Sequence, residues 1–135
     1  MLILDRREPD ELANAMRRYD VEVVHSRKDG VELEFGDAMF EGHGEFGCCT
    51  VGIERKRLTD LISCMKDRRL AGHQLRGMHQ SYDYSFIVVE GLWRPGTGGM
   101  IEVYEWCAKE KKRCWRPMYD KQSKYAVSYQ QVDAY

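Results

Sequence analysis

Residues 50–60 read TVGIERKRLTD, and this stretch decides the fold. Its apolar, β-branched start is typical of a buried strand, which we expect to end near Glu54 and Lys56. Side chains two residues apart on a strand point to the same face, so these two charged groups are expected side by side. Asp37 follows the alternating VELEFG of residues 31–36, which predicts a neighbouring strand. We therefore expect two carboxylates and a lysine to converge at one edge of a sheet.

This set of charged groups suits metal-assisted hydrolysis of a phosphodiester bond. Mg²⁺ prefers hard oxygen ligands and keeps several waters, so one or two carboxylates and a phosphate oxygen suffice to hold it. We predict that Asp37, Glu54 and the carbonyl of Arg55 bind Mg²⁺, and that Mn²⁺ can replace it. Lys56 would orient or deprotonate the attacking water while the metal acts as a Lewis acid.

The charged positions also resemble a known motif. Gly36-Asp37, Glu54-Arg55-Lys56 and Asp60 are similar to the GD…ERKxxxD signature of the XPF-family structure-specific endonucleases, a branch of the PD-(D/E)XK nucleases. The resemblance implies that Asp60 steadies Lys56 or Arg55. From the residues alone, Asp60 also fits a carboxylate that complements the positive end of a helix dipole.

The first residues of the chain resemble a second element of the same family. Asp5, Arg7 and Glu8 stand where the DxRE element begins these nuclease domains. The resemblance, which covers residues 1–92, implies that the three line the same site, with Asp5 near the metal. Without it, the segment reads as a strand exit followed by a helix that opens at Pro9.

Two helices are predicted after the signature. Apolar residues recur at helical spacing over residues 58–65 and again over 71–82. Family members show a Gly-Arg pair and then a glutamine in this region, which implies DNA-binding roles for Arg69 and Gln74. The chain departs from that pattern, because an arginine replaces the glycine and His73 occupies the place expected for the glutamine.

The remaining apolar runs predict the strands of an α/β domain. Residues 2–4 form a short strand, and residues 21–24 and 31–35 are expected to form a hairpin because an Asp-Gly turn signal separates them. Residues 38–53 predict an antiparallel meander. The continuous apolar run 85–89 predicts a central or parallel strand reached by a helical crossover. The expected fold is a mixed central sheet with helices on both faces, and the resemblance implies a restriction-endonuclease-like core.

Length and composition are typical of one globular domain. The chain has 135 residues, of which 43% are hydrophobic and 32% charged. No apolar run approaches the roughly 18 residues of a membrane span, and the first residues lack a secretory signal, so we expect a cytoplasmic or nucleoid protein, nuclear in a eukaryote. The five cysteines form no CxxC pair, and their spacing indicates neither a disulfide framework nor a zinc site.

Charge is distributed unevenly although the net charge is only −1. Residues 1–45 carry 6 basic and 12 acidic side chains, whereas residues 54–76 carry 7 and 3, and residues 109–124 carry 7 and 2. This distribution predicts a basic surface beside an acidic metal pocket, as a phosphate-binding enzyme needs. The basic runs also fit ordinary solvated surfaces.

Residues 93–135 lie outside the resemblance and are interpreted as a divergent carboxyl-terminal extension of a single domain, 1–135. The Pro/Gly-rich residues 94–99 predict a flexible loop. Trp106 and Trp115 stand among basic residues, a combination that stacks on unpaired bases in some proteins and packs on the core in others. The polar end of the sequence is typical of a fragment of a longer chain, and the helix-hairpin-helix motifs that follow many related nuclease domains are not visible.

Two classes of function fit these observations. The first is a Mg²⁺-dependent endonuclease that cuts branched or flap-type DNA during repair or recombination and pairs as a homodimer. The second is a non-catalytic DNA-binding or dimerisation partner of the same family. The intact Asp37, Glu54 and Lys56 favour the first, because a degenerate partner is expected to lose them. A restriction-like or exonuclease-type enzyme is the nearest rival within the first class.

Overall fold

A computed structural model describes residues 1–25, 27, 30–66, 70–119, 126–128 and 130. It divides the chain into two units, one formed by residues 1–56 and 64–89 and the other by residues 57–63 and 90–135. The elements make a mixed α/β fold, as predicted. None of the described helices is long and apolar enough to cross a membrane.

The first unit is built on a five-stranded sheet with the order β2-β1-β3-β4-β5. Because β1 runs parallel to β2 and antiparallel to β3, the sheet is mixed, as predicted. The strands are β1 (Leu2–Leu4), β2 (Val23–Val24), β3 (Ala38–Gly44), β4 (Gly47–Arg57) and β5 (Tyr84–Glu90).

Helices lie between these strands along the chain. They are α1 (Asp10–Arg17), α2 (Leu58–Lys66) and α3 (Leu75–Ser81), the last preceded by a π-helical turn, Leu70–Gln74. Helix α1 begins directly after Pro9, with two acidic residues in its first turn, where they complement the helix dipole. Its fully buried Ala13 packs with Leu4, Val23 and Ala38 of three neighbouring strands. This cluster fixes β1, and therefore the residues that leave it, against the sheet.

The predicted hairpin of residues 21–24 and 31–35 is wrong. Only Val23 and Val24 form a strand, and they pair in parallel with β1, while residues 31–35 adopt no strand. The backbone of this segment bonds instead to the exit of β1: the Arg6 N–H donates to the Val31 carbonyl, and the Leu33 N–H donates to the Asp5 carboxylate. Residues 26, 28 and 29 of the predicted turn lie outside the described residues.

The predicted meander is confirmed and sets the register of the site. Strands β3 and β4 pair antiparallel from Ala38 opposite Ile53 to Gly44 opposite Gly47. Of the two alternatives for residues 85–89, a central or a parallel strand, the central one is wrong, because β5 lies at the edge of the sheet next to β4. Phe86 and Val88 are 56% and 46% exposed on it, so its apolar run does not mark burial on both faces.

The second unit contains an antiparallel sheet that the sequence analysis missed. Its strands are β6 (Trp93–Pro95), β7 (Ile101–Cys107) and β8 (Lys112–Pro117), in that order. Residues 94–99, predicted as a flexible loop, form part of β6 and a 3₁₀ turn, Thr97–Gly99. Ile101, Met118 and Val127 are buried in this unit and exchange backbone hydrogen bonds.

Gly52 allows a tyrosine ring to lie directly on β4. A Cβ atom at Gly52 would stand 2.1 Å from the ring of Tyr82, whose hydroxyl donates to the Phe35 carbonyl at 2.7 Å. Tyr82 is buried and its hydroxyl is bonded to Phe35, so its ring cannot move aside freely. Gly52→Ala should therefore lower the free energy of unfolding by about 1–3 kcal/mol, measured by urea denaturation.

Gly42→Ala is the matched control for this change. Gly42 lies on the neighbouring strand β3, and its added Cβ would meet the nearest atom at an ordinary 3.6 Å. We expect the control to unfold close to the wild type. Equal stability of the two alanine variants would contradict the packing of Tyr82 on Gly52.

Candidate functional site

Asp37 is positioned beside Glu54 by the glycine that precedes it. Gly36 adopts φ +82°, and a Cβ there would lie 3.1 Å from the Ile53 carbonyl oxygen, so the chain passes too close to β4 for a larger residue. The Asp37 N–H donates to that carbonyl at 2.7 Å, and the Arg55 N–H donates to Asp37 Oδ2 at 2.7 Å. The predicted neighbourhood of Asp37 and Glu54 is therefore confirmed.

Glu54 and Lys56 share one face of β4, as predicted. Lys56 Nζ lies 2.7 Å from Glu54 Oε1, and each side chain is only 9% exposed. Removing both charges from water carries a desolvation penalty that a buried ion pair does not reliably recover. The pair is thus poorly explained as a device for stability alone.

Gln74 completes the environment of Glu54. Its Nε2 donates to Glu54 Oε1 at 3.1 Å, whereas the exposed His73 contacts the ring of Phe35, with centroids 5.5 Å apart. A π-helical turn holds one residue more than an α-turn, and the turn Leu70–Gln74 lies at this position. Gln74 therefore reaches the Glu54 carboxylate, although the resemblance implies a glutamine at the position of His73.

These residues surround a cavity of about 350 Å³ in the first unit. Its lining includes Arg7, Gly36, Asp37, Glu54, His73 and Gln74. Gln74 Oε1 is buried and has no hydrogen-bond partner among the described residues. The cavity therefore combines the carboxylates of Glu34, Asp37 and Glu54 with the buried carbonyl oxygen of Gln74, all of them acceptors.

Asp5 is buried beneath Arg7, which lines this cavity. Its carboxylate is fully buried and accepts four hydrogen bonds, three from the backbone and guanidinium of Arg7 and one from the Leu33 N–H. Burial acts to raise the pKa of Asp5, but these donors outweigh it and hold the pKa at about 2. With both oxygens in use, Asp5 is placed to position Arg7 rather than to bind a cation. Arg7 remains 61% exposed.

Glu8 and Arg55 form a second ion pair across the same region. Arg55 Nη2 lies 2.8 Å from Glu8 Oε2, with both side chains largely buried. The structure thus links the first residues after β1 to β4 and gathers Asp5, Arg7, Glu8, Asp37, Glu54, Arg55, Lys56 and Gln74 in one unit.

The structure describes one of the two remaining predicted site residues. Asp60 is an exposed residue in the first turn of α2 and belongs to the second unit. Its position matches the dipole interpretation. Arg69 lies outside the described residues.

Three aromatic residues of the extension, Tyr104, Trp106 and Trp115, lie exposed on one face of the second sheet. Tyr104 pairs with Trp115 across β7 and β8, with ring centroids 5.3 Å apart, and the Arg94 guanidinium lies 4.2 Å from the Trp115 ring. Trp106 pairs with Arg113 and is 61% exposed. Core packing, one of the two interpretations of these tryptophans, is therefore wrong for Trp106.

The turn between β7 and β8 gathers a group of residues that the sequence analysis missed. One ligand atom from each of Cys107, Glu110 and Cys114 lies within 4.8 Å of the others. The backbone N–H groups of Glu110 and Lys109 lower the pKa of the Cys107 thiol, and burial raises that of Cys114. The group does not match the CxxC pattern, because Glu110 occupies the position of the second cysteine.

No protein-family model and no curated protein matches this chain.

The buried Asp5 carboxylate predicts an acid-sensitive stability. Its folded-state pKa of about 2 lies below the usual 3.8, so its contribution is complete above about pH 4 and is lost as the pH falls towards 2. The loss amounts to about 2 kcal/mol. In Asp5→Asn, an amide N–H₂ would face the donors of Arg7 or Leu33, so this variant should be destabilised at pH 7 and should lose less stability on acidification.

Urea unfolding at pH 7 and at low pH measures this difference. Glu41→Gln, at an exposed position on β3, is the control and should keep the wild-type pH dependence. Identical acid sensitivity of Asp5→Asn and the wild type would refute the role assigned to the carboxylate.

Proposed function

We propose that the first unit is the catalytic core of a Mg²⁺-dependent DNA endonuclease, related to the XPF family and built on a restriction-endonuclease-like core. The observation that carries the proposal is that Asp37, directly before β3, and Glu54, on the adjacent strand β4, line one cavity, with Lys56 bonded to Glu54. The carboxylates can hold a metal ion, and the lysine can act on the attacking water. This arrangement therefore suits metal-assisted hydrolysis.

The donor atoms fit Mg²⁺. Asp37 uses Oδ2 for the Arg55 N–H, and Glu54 uses Oε1 for Lys56 and Gln74. The other oxygen of each carboxylate accepts no hydrogen bond from the residues that the structure describes. Two such oxygens, the buried Gln74 Oε1 and waters would supply the hard ligands that Mg²⁺ prefers. When bound, the metal would act as a Lewis acid on a phosphate oxygen.

The remaining residues take supporting roles in this proposal. Lys56 holds Glu54 in place and orients the attacking water. Arg7, exposed at the cavity and held by Asp5, contacts a DNA phosphate. Glu8 fixes the Arg55 side chain, and with it the backbone N–H that orients Asp37. Branched DNA as substrate, pairing of two copies and a role in repair or recombination are parts of the same proposal.

Cleavage assays test the proposal directly. Labelled flap, fork, four-way junction and linear duplex DNA are incubated with Mg²⁺, with Mn²⁺ and with EDTA. We expect metal-dependent cutting of at least one branched substrate. Lys56→Ala should slow it by about 10²–10⁴-fold if the amine acts on the water, and Glu54→Gln should abolish it by removing a metal ligand.

Glu41→Gln is the matched control for Glu54→Gln, because it makes the same change at an exposed position of the adjacent strand. It should cut at the wild-type rate. Thermal unfolding of every variant checks that lost cutting is not lost folding. A folded Glu54→Gln protein with full activity would rule out the assigned metal site.

A second candidate function is binding of unpaired nucleotides without cleavage. It is favoured by the exposed face of Tyr104, Trp106 and Trp115 with Arg94 and Arg113, since aromatic rings stack on bases and guanidinium groups hold phosphates. The same substrates distinguish the two candidates: retarded mobility in a gel without cutting under any metal condition, weakened by Trp106→Ala, supports the binding module.

A further inference from the structure

The β7–β8 hairpin contains a compact set of metal-binding side chains outside the site already described. Cys107 ends β7, Glu110 lies in the turn and Cys114 lies in β8. Their ligand atoms all lie within 4.8 Å of one another. Cys107 is buried and Cys114 partly buried, while Glu110 is exposed, so a cation could reach the group from solvent through Glu110.

The strand register places the two cysteines diagonally rather than directly opposite. Cys107 pairs with Lys112, and Cys114 pairs with Glu105, so both cysteines share one face. Diagonal neighbours in an antiparallel pair have Cα atoms about 7–8 Å apart, beyond the roughly 4.4–6.8 Å usual for a disulfide. Both thiols are free in the structure. The diagonal register therefore favours a shared ion over a sulfur–sulfur bond.

The turn itself favours a thiolate at Cys107. Lys111 adopts a left-handed φ of 50°, which tightens the turn and returns the chain to β8. Hydrogen bonding to the backbone N–H groups of Glu110 and Lys109 lowers the pKa of the Cys107 thiol, whereas burial raises that of Cys114. Glu110 also pairs with Lys112 at 3.2 Å, but that pair is exposed, and exposed ion pairs contribute little. The carboxylate therefore remains available to a cation.

We propose that Cys107, Cys114 and Glu110 bind a thiophilic divalent cation of the Zn²⁺ class, with water in the fourth position. Two thiolates and one carboxylate are ligands that tetrahedral Zn²⁺ accepts, whereas Mg²⁺ prefers oxygen alone. Binding releases the two thiol protons. The bound ion ties the end of β7 to β8 and stabilises the second sheet. This proposal does not rest on the proposed nuclease activity.

Cobalt spectroscopy of the reduced full-length chain tests the site. Co²⁺ should produce thiolate-to-metal charge-transfer absorption with one equivalent per chain, and Zn²⁺ should remove it by displacement. Cys114→Ser should weaken binding by about a hundredfold or more, and Glu110→Gln by a smaller factor. Cys64→Ser, which changes a partly buried cysteine of α2, should bind Co²⁺ as the wild type does.

Alkylation of the wild-type protein gives a readout that needs no variant. Zn²⁺ should protect Cys107 and Cys114 from a thiol reagent, as mapped by mass spectrometry, and should leave the labelling of the exposed Cys48 unchanged. Absence of a charge-transfer band in the reduced protein would overturn the proposal. So would equal labelling of Cys107 and Cys114 with and without Zn²⁺, or a band that survives in Cys114→Ser.

Discussion

The buried carboxylate of Asp5 is the constraint on which the arrangement of the first unit depends. It accepts hydrogen bonds from Arg7 and Leu33, while the Asp5 N–H donates to the Asp37 carbonyl at 2.9 Å. Asp5, directly after β1, thus holds three parts of the first unit: the exposed Arg7, the non-strand segment that contains Leu33, and the backbone of Asp37. An unpaired carboxylate at this depth would be strongly unfavourable, so these contacts hold together or fail together.

Burial of carboxylates in the cavity lowers the free energy of unfolding, and hydrogen-bond donors placed next to them reduce this loss. The Arg55 N–H donates to the Asp37 carboxylate, and Lys56 and Gln74 donate to that of Glu54, so each carboxylate has a donor close by. The π-helical turn fits the same interpretation, because such turns are rare and often occur at functional sites. A π-helical turn contains one extra residue. This matches the one-residue difference between Gln74 and the position that the resemblance implies for the glutamine.

Much of this site could be predicted from sequence because it depends on short-range rules. Alternation along β4 gave the shared face of Glu54 and Lys56, and the meander gave the neighbourhood of Asp37. The hairpin of residues 21–35 could not be excluded, because the competing bonds come from Asp5, 28 residues away from Leu33. The edge position of β5 was missed because an apolar run does not distinguish a central strand from an edge strand with exposed Phe86 and Val88. The Cys107–Glu110–Cys114 group depends on hairpin register, which spacing alone does not reveal.

Anomalous diffraction from crystals soaked in Mn²⁺ is the measurement that tests the central claim most directly, because it locates a cation without relying on activity. The account predicts an anomalous peak within coordination distance of the carboxylates of Asp37 and Glu54, in the cavity that Gln74 also lines. The peak should be absent in Glu54→Gln. A fully occupied Mn²⁺ elsewhere in the first unit, or none near these two carboxylates at saturating Mn²⁺, would contradict it.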